Sequence, residues 1–232
     1  MKASRWPDKY IRKYSKSLGE SNSFHTKIKN KKKHFEIVDY GDDNNYLTLS
    51  ETASSHCPSL DTAVDIGCRY GEFSRYLARN FAKIYCFDYR KTNQFAMNVD
   101  VLDRRIVHYT CPLGADMHTE YASGRGNFRN RNIDPKWRGL VQMQVYPLDH
   151  FKLTNVSLIK IDTDGMDEEV IKGAMNTIKK YKPVIIVELL IVDNKHNHNG
   201  VRLLQEIGYK VVDKKIGSGG MHNDYVLSYH KS

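Results

Sequence analysis

Acidic side chains crowd the segment from Val156 to Leu190 in a pattern suited to moving a proton, orienting hydroxyls or holding a cation. Asp162 ends an apolar run of Val156, Leu158, Ile159 and Ile161. Asp164 and Asp167 follow within one turn around Gly165, and Glu188 ends a second apolar run that starts after Pro183. Runs this short read as buried strands, and Gly165 permits a sharp exit from the first of them. Ligands of open α/β sheets bind beyond the carboxyl ends of the strands, so these acids should stand at a site mouth. The attraction of a helix N-terminus for carboxylates accounts for Glu168 and Glu169. It does not account for an acid at the very end of a buried strand.

Asp162 is the first choice for a base or a substrate-orienting group, with Asp164 and Glu188 assisting, because clustered carboxylates raise one another's pKa. Alternatively Asp162, Asp164 and Asp167 hold a divalent cation such as magnesium, which would acidify a hydroxyl. Lys160, on an otherwise apolar strand, is expected to pair with a neighbouring acid as structure. His222 lies in the loop Gly217 to Asp224 before the final strand and is a candidate base on a closing loop. His196 and His198, two apart in a polar stretch, read as loop residues and not as metal ligands.

These side chains need a scaffold, and the chain supplies an alternating one. Asp61–Ile66 reads as a strand, Glu72–Asn80 as a helix, Lys83–Asp88 as a strand, Thr92–Val99 as a short helix and Arg105–Thr110 as a strand. The pattern resumes with the strand at Val156, a helix after Asp167 and the strand ending at Glu188. Val201–Ile207 is helical, and Tyr209–Asp213 and Tyr225–Tyr229 are strands. Seven strands alternating with helices predict an α/β fold, a doubly wound and mostly parallel seven-stranded sheet covered on both faces. Phe35–Leu49 reads as two short strands around Gly41-Asp42-Asp43-Asn44. The stretch from about 114 to 145 reads as a structureless Arg/Gly/Asn-rich insertion, with Arg125, Arg129, Arg131 and Arg138. Insertions of that length in a compact domain are usually functional or disordered.

At 232 residues and 40% hydrophobic content the chain can bury one core, which predicts a single domain over residues 35–232. No apolar run approaches the ~20 residues that span a bilayer, and MKASRWPDKY carries no apolar leader core. Cys57, Cys68, Cys86 and Cys111 lack metal or disulfide spacing, so reduced thiols and a cytoplasmic location are expected. Residues 1–34 form a basic arm with 11 Lys or Arg against 2 Asp or Glu, whereas the remaining residues hold 25 of each. Such an arm can bind nucleic acid or another anionic surface, or serve only as a solubilising lead-in.

The first strand runs into Val64-Asp65-Ile66-Gly67-Cys68-Arg69-Tyr70-Gly71, a strand, glycine turn and helix start that lets a ligand approach backbone N–H groups. Asp88, 21 residues after Gly67, ends the second strand at the spacing that accepts the ribose hydroxyls of a nucleoside cofactor. The loop lacks GxGxxG. Its DIGCxxG form resembles the first motif of class I S-adenosylmethionine-dependent methyltransferases. Lys160-Ile161-Asp162-Thr163-Asp164-Gly165-Met166-Asp167, Ile171-Lys172-Gly173-Ala174 and Pro183-Val184-Ile185-Ile186-Val187-Glu188, with Leu113-Gly114 and Leu148-Asp149 upstream, resemble the FkbM family of methyltransferases. The chain departs from that family in having Asp at 88, 164 and 167 where Glu is usual.

The resemblance implies a Rossmann-like class I methyltransferase fold and S-adenosyl-L-methionine bound by Asp65, Gly67, Cys68, Tyr70, Gly71, Asp88 and Tyr89. It implies O-methylation of a sugar, glycan or related hydroxylated small molecule. A ribose hydroxyl in RNA, recruited by the basic arm, is the alternative acceptor. A cofactor-binding remnant acting only as an interaction module would need a damaged site, and the acids and glycines here are intact.

Overall fold

The computed structural model describes residues 43–90, 105–123, 140–192, 195–196, 199–216 and 222–230. In chain order these form α1 (Asp43–Ser55), β1 (Thr62–Ile66), α2 (Ser74–Asn80), β2 (Lys83–Asp88), β3 (Ile106–Thr110), β4 (His118–Ser123) and β5 (Leu140–Val145). After a single 3₁₀ turn (Leu148–Phe151) come β6 (Val156–Ile161), α3 (Asp167–Gly173), α4 (Met175–Tyr181), β7 (Val184–Val192), β8 (Lys195–His196), α5 (Asn199–Glu206), β9 (Tyr209–Ile216) and β10 (His222–Tyr229). Seven strands lie in the order β3-β2-β1-β6-β7-β10-β9, and the short β8 pairs with β7. Neighbours from β3 to β7 are parallel, and β10 runs antiparallel to both β7 and β9. The order reverses between β1 and β6, the place where doubly wound sheets open a ligand crevice.

The strands read as unbroken apolar runs because both faces of the sheet are covered. On one face Val64, Ile159, Ile161, Ile185 and Val187 pack with Val170, Ile171, Ile178 and Leu204 of the helices. On the other, Ala63, Ile84, Cys86, Leu158, Ile186 and Val226 pack with Leu49, Ala53 and Leu77. All four cysteines are unpaired thiols. No described helix is long and apolar enough to cross a membrane.

Four expectations change. Residues 43–49 do not form strand but open α1, because Tyr46, Leu49 and Ala53 fall on one helical face and Leu49 and Ala53 are fully buried against α2 and the sheet. The stretch expected to be structureless holds a hairpin, β4 paired antiparallel with β5, rooted by the buried Val145 and by the Leu113–Tyr146 bridge. His222 does not sit in a loop but begins β10, opposite Leu190. His196 belongs to β8. The basic arm, Thr92–Val99, the four insertion arginines and His198 lie outside the described residues.

Candidate active site

A cavity of about 590 Å³ opens at the carboxyl ends of β1, β2, β6 and β7, within the ~300–1,000 Å³ of small-molecule sites. Its walls divide at the reversal of strand order. One half is built by the turns after β1, β2 and β3 (Gly67, Cys68, Arg69, Glu72, Asp88, Tyr89, Leu113), the other by Tyr46, Lys160, Asp162, Glu188 and His222.

Gly67 leaves β1 with φ +80°, and a Cβ there would collide with the Asp162 carbonyl, so only glycine lets the ends of β1 and β6 meet. Its N–H and that of Cys68 both donate to the Phe87 carbonyl (2.8 and 3.2 Å), tying the turn to the end of β2. The Asp88 carboxylate accepts the Arg69 N–H on one oxygen and the Arg90 N–H on the other, each at 2.8 Å. Burial raises the Asp88 carboxyl, and those two donors oppose the rise. Asp88 lines the cavity, and each of its oxygens keeps a further lone pair that could accept a ribose hydroxyl. Tyr89 also lines the cavity. Cys68 lines it too, but its thiol is engaged with Cys86. Tyr70 and Gly71 stand behind the turn, where Gly71 (φ +79°) donates to the Cys68 carbonyl at 2.6 Å.

Asp65 forms the floor. It is wholly buried, Ser74 donates to its Oδ2 at 2.5 Å, and its Oδ1 has no partner. Burial lifts its carboxyl to about 6. Glu72 on the cavity wall also has a buried oxygen without a partner. Two carboxyls with spare acceptor capacity suit a cofactor that carries a sulfonium and an ammonium group, so the residues present fit S-adenosylmethionine.

The far half is organised by a buried lysine. Lys160, with 2% of its side chain exposed, donates to Asp162 Oδ2 at 2.7 Å. It is register-paired with Asp65 on β1. Burial alone would lower its ammonium, but Asp162, Glu188 and Asp65 hold it well above the ordinary value. Burial would likewise raise Asp162, and the Lys160 charge with hydrogen bonds from Glu188 and Lys160 brings it below the usual range. Glu188, 14% exposed, goes the other way, to about 10, through burial and the neighbouring Asp162 charge. Burial and the Asp162 charge thus favour the neutral form of Glu188, which can donate a hydrogen bond to Asp162. His222 Nδ1 stands 3.8 Å from Glu188 Oε1. Asp224 faces Glu188 across the β7–β10 pair and is buried.

Asp162, Asp164, Glu188 and His222 are thus brought to one cavity. Asp164 is held in the left-handed region (φ +52°) beside Gly165 (φ +95°). Asp167 is turned back to accept a hydrogen bond from Thr163 Oγ1 at 3.2 Å. The trio considered for magnesium is not gathered: among the described residues no group of three His, Cys, Asp or Glu is placed to hold a metal.

Several sequence-motif residues prove structural. Asp149 accepts hydrogen bonds from the backbone N–H groups of Asn176 and Thr177 (2.9 Å each) and from the Thr177 hydroxyl (2.6 Å), which caps α4. Gly173 abuts the Gly114 carbonyl so closely that a Cβ would clash, so two motif glycines exist to touch each other. Tyr46 was missed as a site residue. The helical spacing of Tyr46, Leu49 and Ala53 was the available signal.

The sheet order, the glycine turn and the acid after β2 define a class I methyltransferase fold, and that class uses S-adenosylmethionine as methyl donor. The sequence profile of the methyltransferase FkbM domain matches residues 20–211, and the chain belongs to this family. The fold is similar to that of methyltransferase FkbM from Methylobacillus flagellatus KT (TM-score 0.51, 15% identity, 77% of this chain and 50% of that one). It is also similar to a candidate tRNA methyltransferase of Streptococcus pneumoniae (TM-score 0.51, 14% identity, 80% and 70%). The chain spans half the length of the Methylobacillus structure. No curated protein matches it significantly.

Proposed function

We propose that this methyltransferase is O-directed and modifies a hydroxyl of a sugar, glycan or related small molecule. The observation that carries this reading is the wall of the far half, where His222 stands 3.8 Å from Glu188, beside the Asp162–Lys160 pair. When bound, S-adenosylmethionine supplies an electrophilic methyl group on a positively charged sulfur. An alcohol oxygen attacks only as its proton leaves, so the protein must take that proton. Asp162, ion-paired and held below the usual carboxylate range, is a poor base, and Glu188 already carries a proton. His222 is then the group to accept it, through the ring nitrogen turned away from Glu188. His222 would hold the proton that the hydroxyl gives up as its oxygen takes the methyl group, and the electron pair of the methyl–sulfur bond would stay with the sulfur of the bound donor. Asp162 and Asp164 remain to accept hydrogen bonds from neighbouring hydroxyls, which fixes the attacking one.

Carboxylates dominate this wall, which disfavours a phosphate-bearing acceptor and hence the RNA alternative. A divalent cation has no support in the described residues. The test is transfer of labelled methyl to a pool of methyl glycosides and to mixed RNA, using the wild type and His222→Gln. The expected result is label in the glycosides, falling about 10²–10⁴-fold in the variant, with cofactor affinity retained. Label confined to RNA would refute the reading.

A further inference from the structure

The cavity contains a side chain that no motif accounts for. Tyr46 enters it from α1, above the first described turns of the chain. Leu49 and Ala53, one and two turns further along the same face, are fully buried and fix the helix on Phe73 and Leu77. That anchoring leaves Tyr46 as the residue projecting past the core into the site. Its ring meets Phe73 edge-on (centroids 5.9 Å, interplanar angle 78°), and the Lys160 ammonium lies 5.4 Å from the same Phe73 ring. Tyr46 therefore stands near Lys160, Asp162, Glu188 and Glu72, all of which influence its phenol. Burial pushes that phenol far above its ordinary value, so it remains a hydroxyl donor and does not serve as a base.

The half-buried Tyr46 has no protein hydrogen bond among the described residues, and it lines the cavity beside the Lys160–Asp162 pair. A donor beside a row of acceptors, on a ring that offers an apolar face, is what a polyhydroxylated ligand requires: hydroxyls for the carboxylates and a C–H face for the ring. We propose that Tyr46 is the acceptor-positioning residue, donating its phenolic hydrogen to the acceptor and holding it against His222. The inference rests on the O-methyltransferase reading above and adds to it the residue that selects a hydroxylated acceptor. It also gives α1 a purpose beyond covering the sheet, because a shift of that helix would misplace the acceptor.

The test uses the full chain with S-adenosylmethionine and methyl glycosides, comparing the wild type with Tyr46→Phe and Tyr46→Ala. Tyr46→Phe removes one neutral hydrogen bond and keeps the ring. It should raise the acceptor KM about 3–10-fold, with kcat and cofactor Kd within twofold and the melting temperature unchanged. Tyr46→Ala should raise KM further, because the ring is lost too. An unchanged KM in Tyr46→Phe, with an active wild type, would overturn the role of Tyr46 and leave the O-methyltransferase reading standing. A loss carried by cofactor affinity would place Tyr46 on the cofactor side and overturn it as well. A wild type that methylates no glycoside would remove both.

Discussion

Replacing Glu188 by glutamine should stabilise the protein, and by an amount that depends on pH. Glu188 shifts from 4.5 to about 10 on folding because it is buried beside the Asp162 charge. A carboxyl whose folded value lies above its unfolded one favours folding fully only below about 4.5. That contribution is lost as pH rises, since the unfolded chain ionises and the folded one does not. Each unit corresponds to about 1.4 kcal/mol, so at pH 7 the wild type forgoes about 3 kcal/mol, reduced somewhat by the 14% exposure of the side chain. Glutamine has no proton to lose, and its amide can donate to Asp162 as the neutral acid does. The assay is denaturant unfolding of the wild type and Glu188→Gln at pH 5 and pH 7.5. The two should be within about 1 kcal/mol at the lower pH, and the variant should be more stable by roughly 2–3 kcal/mol at the higher. A pH-independent difference, or a variant that loses stability as pH rises, would mean that Glu188 is ionised in the native protein. The proton inventory of the site would then be wrong.

Gly67→Ala forces a side chain to φ +80° against the Asp162 carbonyl. It should cost roughly 1–3 kcal/mol from the backbone alone and abolish cofactor binding, read by thermal melting and calorimetry. Asp149→Ala removes three hydrogen bonds that cap α4. A loss of about 0.5–2 kcal/mol with kcat unchanged is expected, and a fall in kcat without a fall in melting temperature would contradict the assignment of Asp149 as structural.

How much of this was legible in the sequence depended on whether the signal was local. The buried strands β1, β6 and β7 showed themselves as short apolar runs, and Gly67 and Asp88 were placed by spacing within one strand–turn–helix–strand unit. Tyr46-Leu47-Thr48-Leu49 alternates like a strand, and the helical face emerges only when Ala53 is included. The hairpin was hidden because His118–Ser123 is mostly polar and its partner begins beyond the Arg-rich stretch. Asp149 was recognised as part of a motif, but its role depends on N–H groups 27 and 28 residues away. The acids at 162 and 188 were visible. Their division into a charged and a neutral member was not, because it arises from the side-by-side pairing of β6 with β7 and from a lysine buried between acids.

The most direct test of the central claim is to supply S-adenosylmethionine bearing a CD₃ group with mixed methyl glycosides and locate the label by mass spectrometry and NMR. The expected product is an oxygen-linked CD₃ ether on a glycoside hydroxyl. Label on nitrogen or carbon, or in no glycoside while RNA is modified, would contradict it.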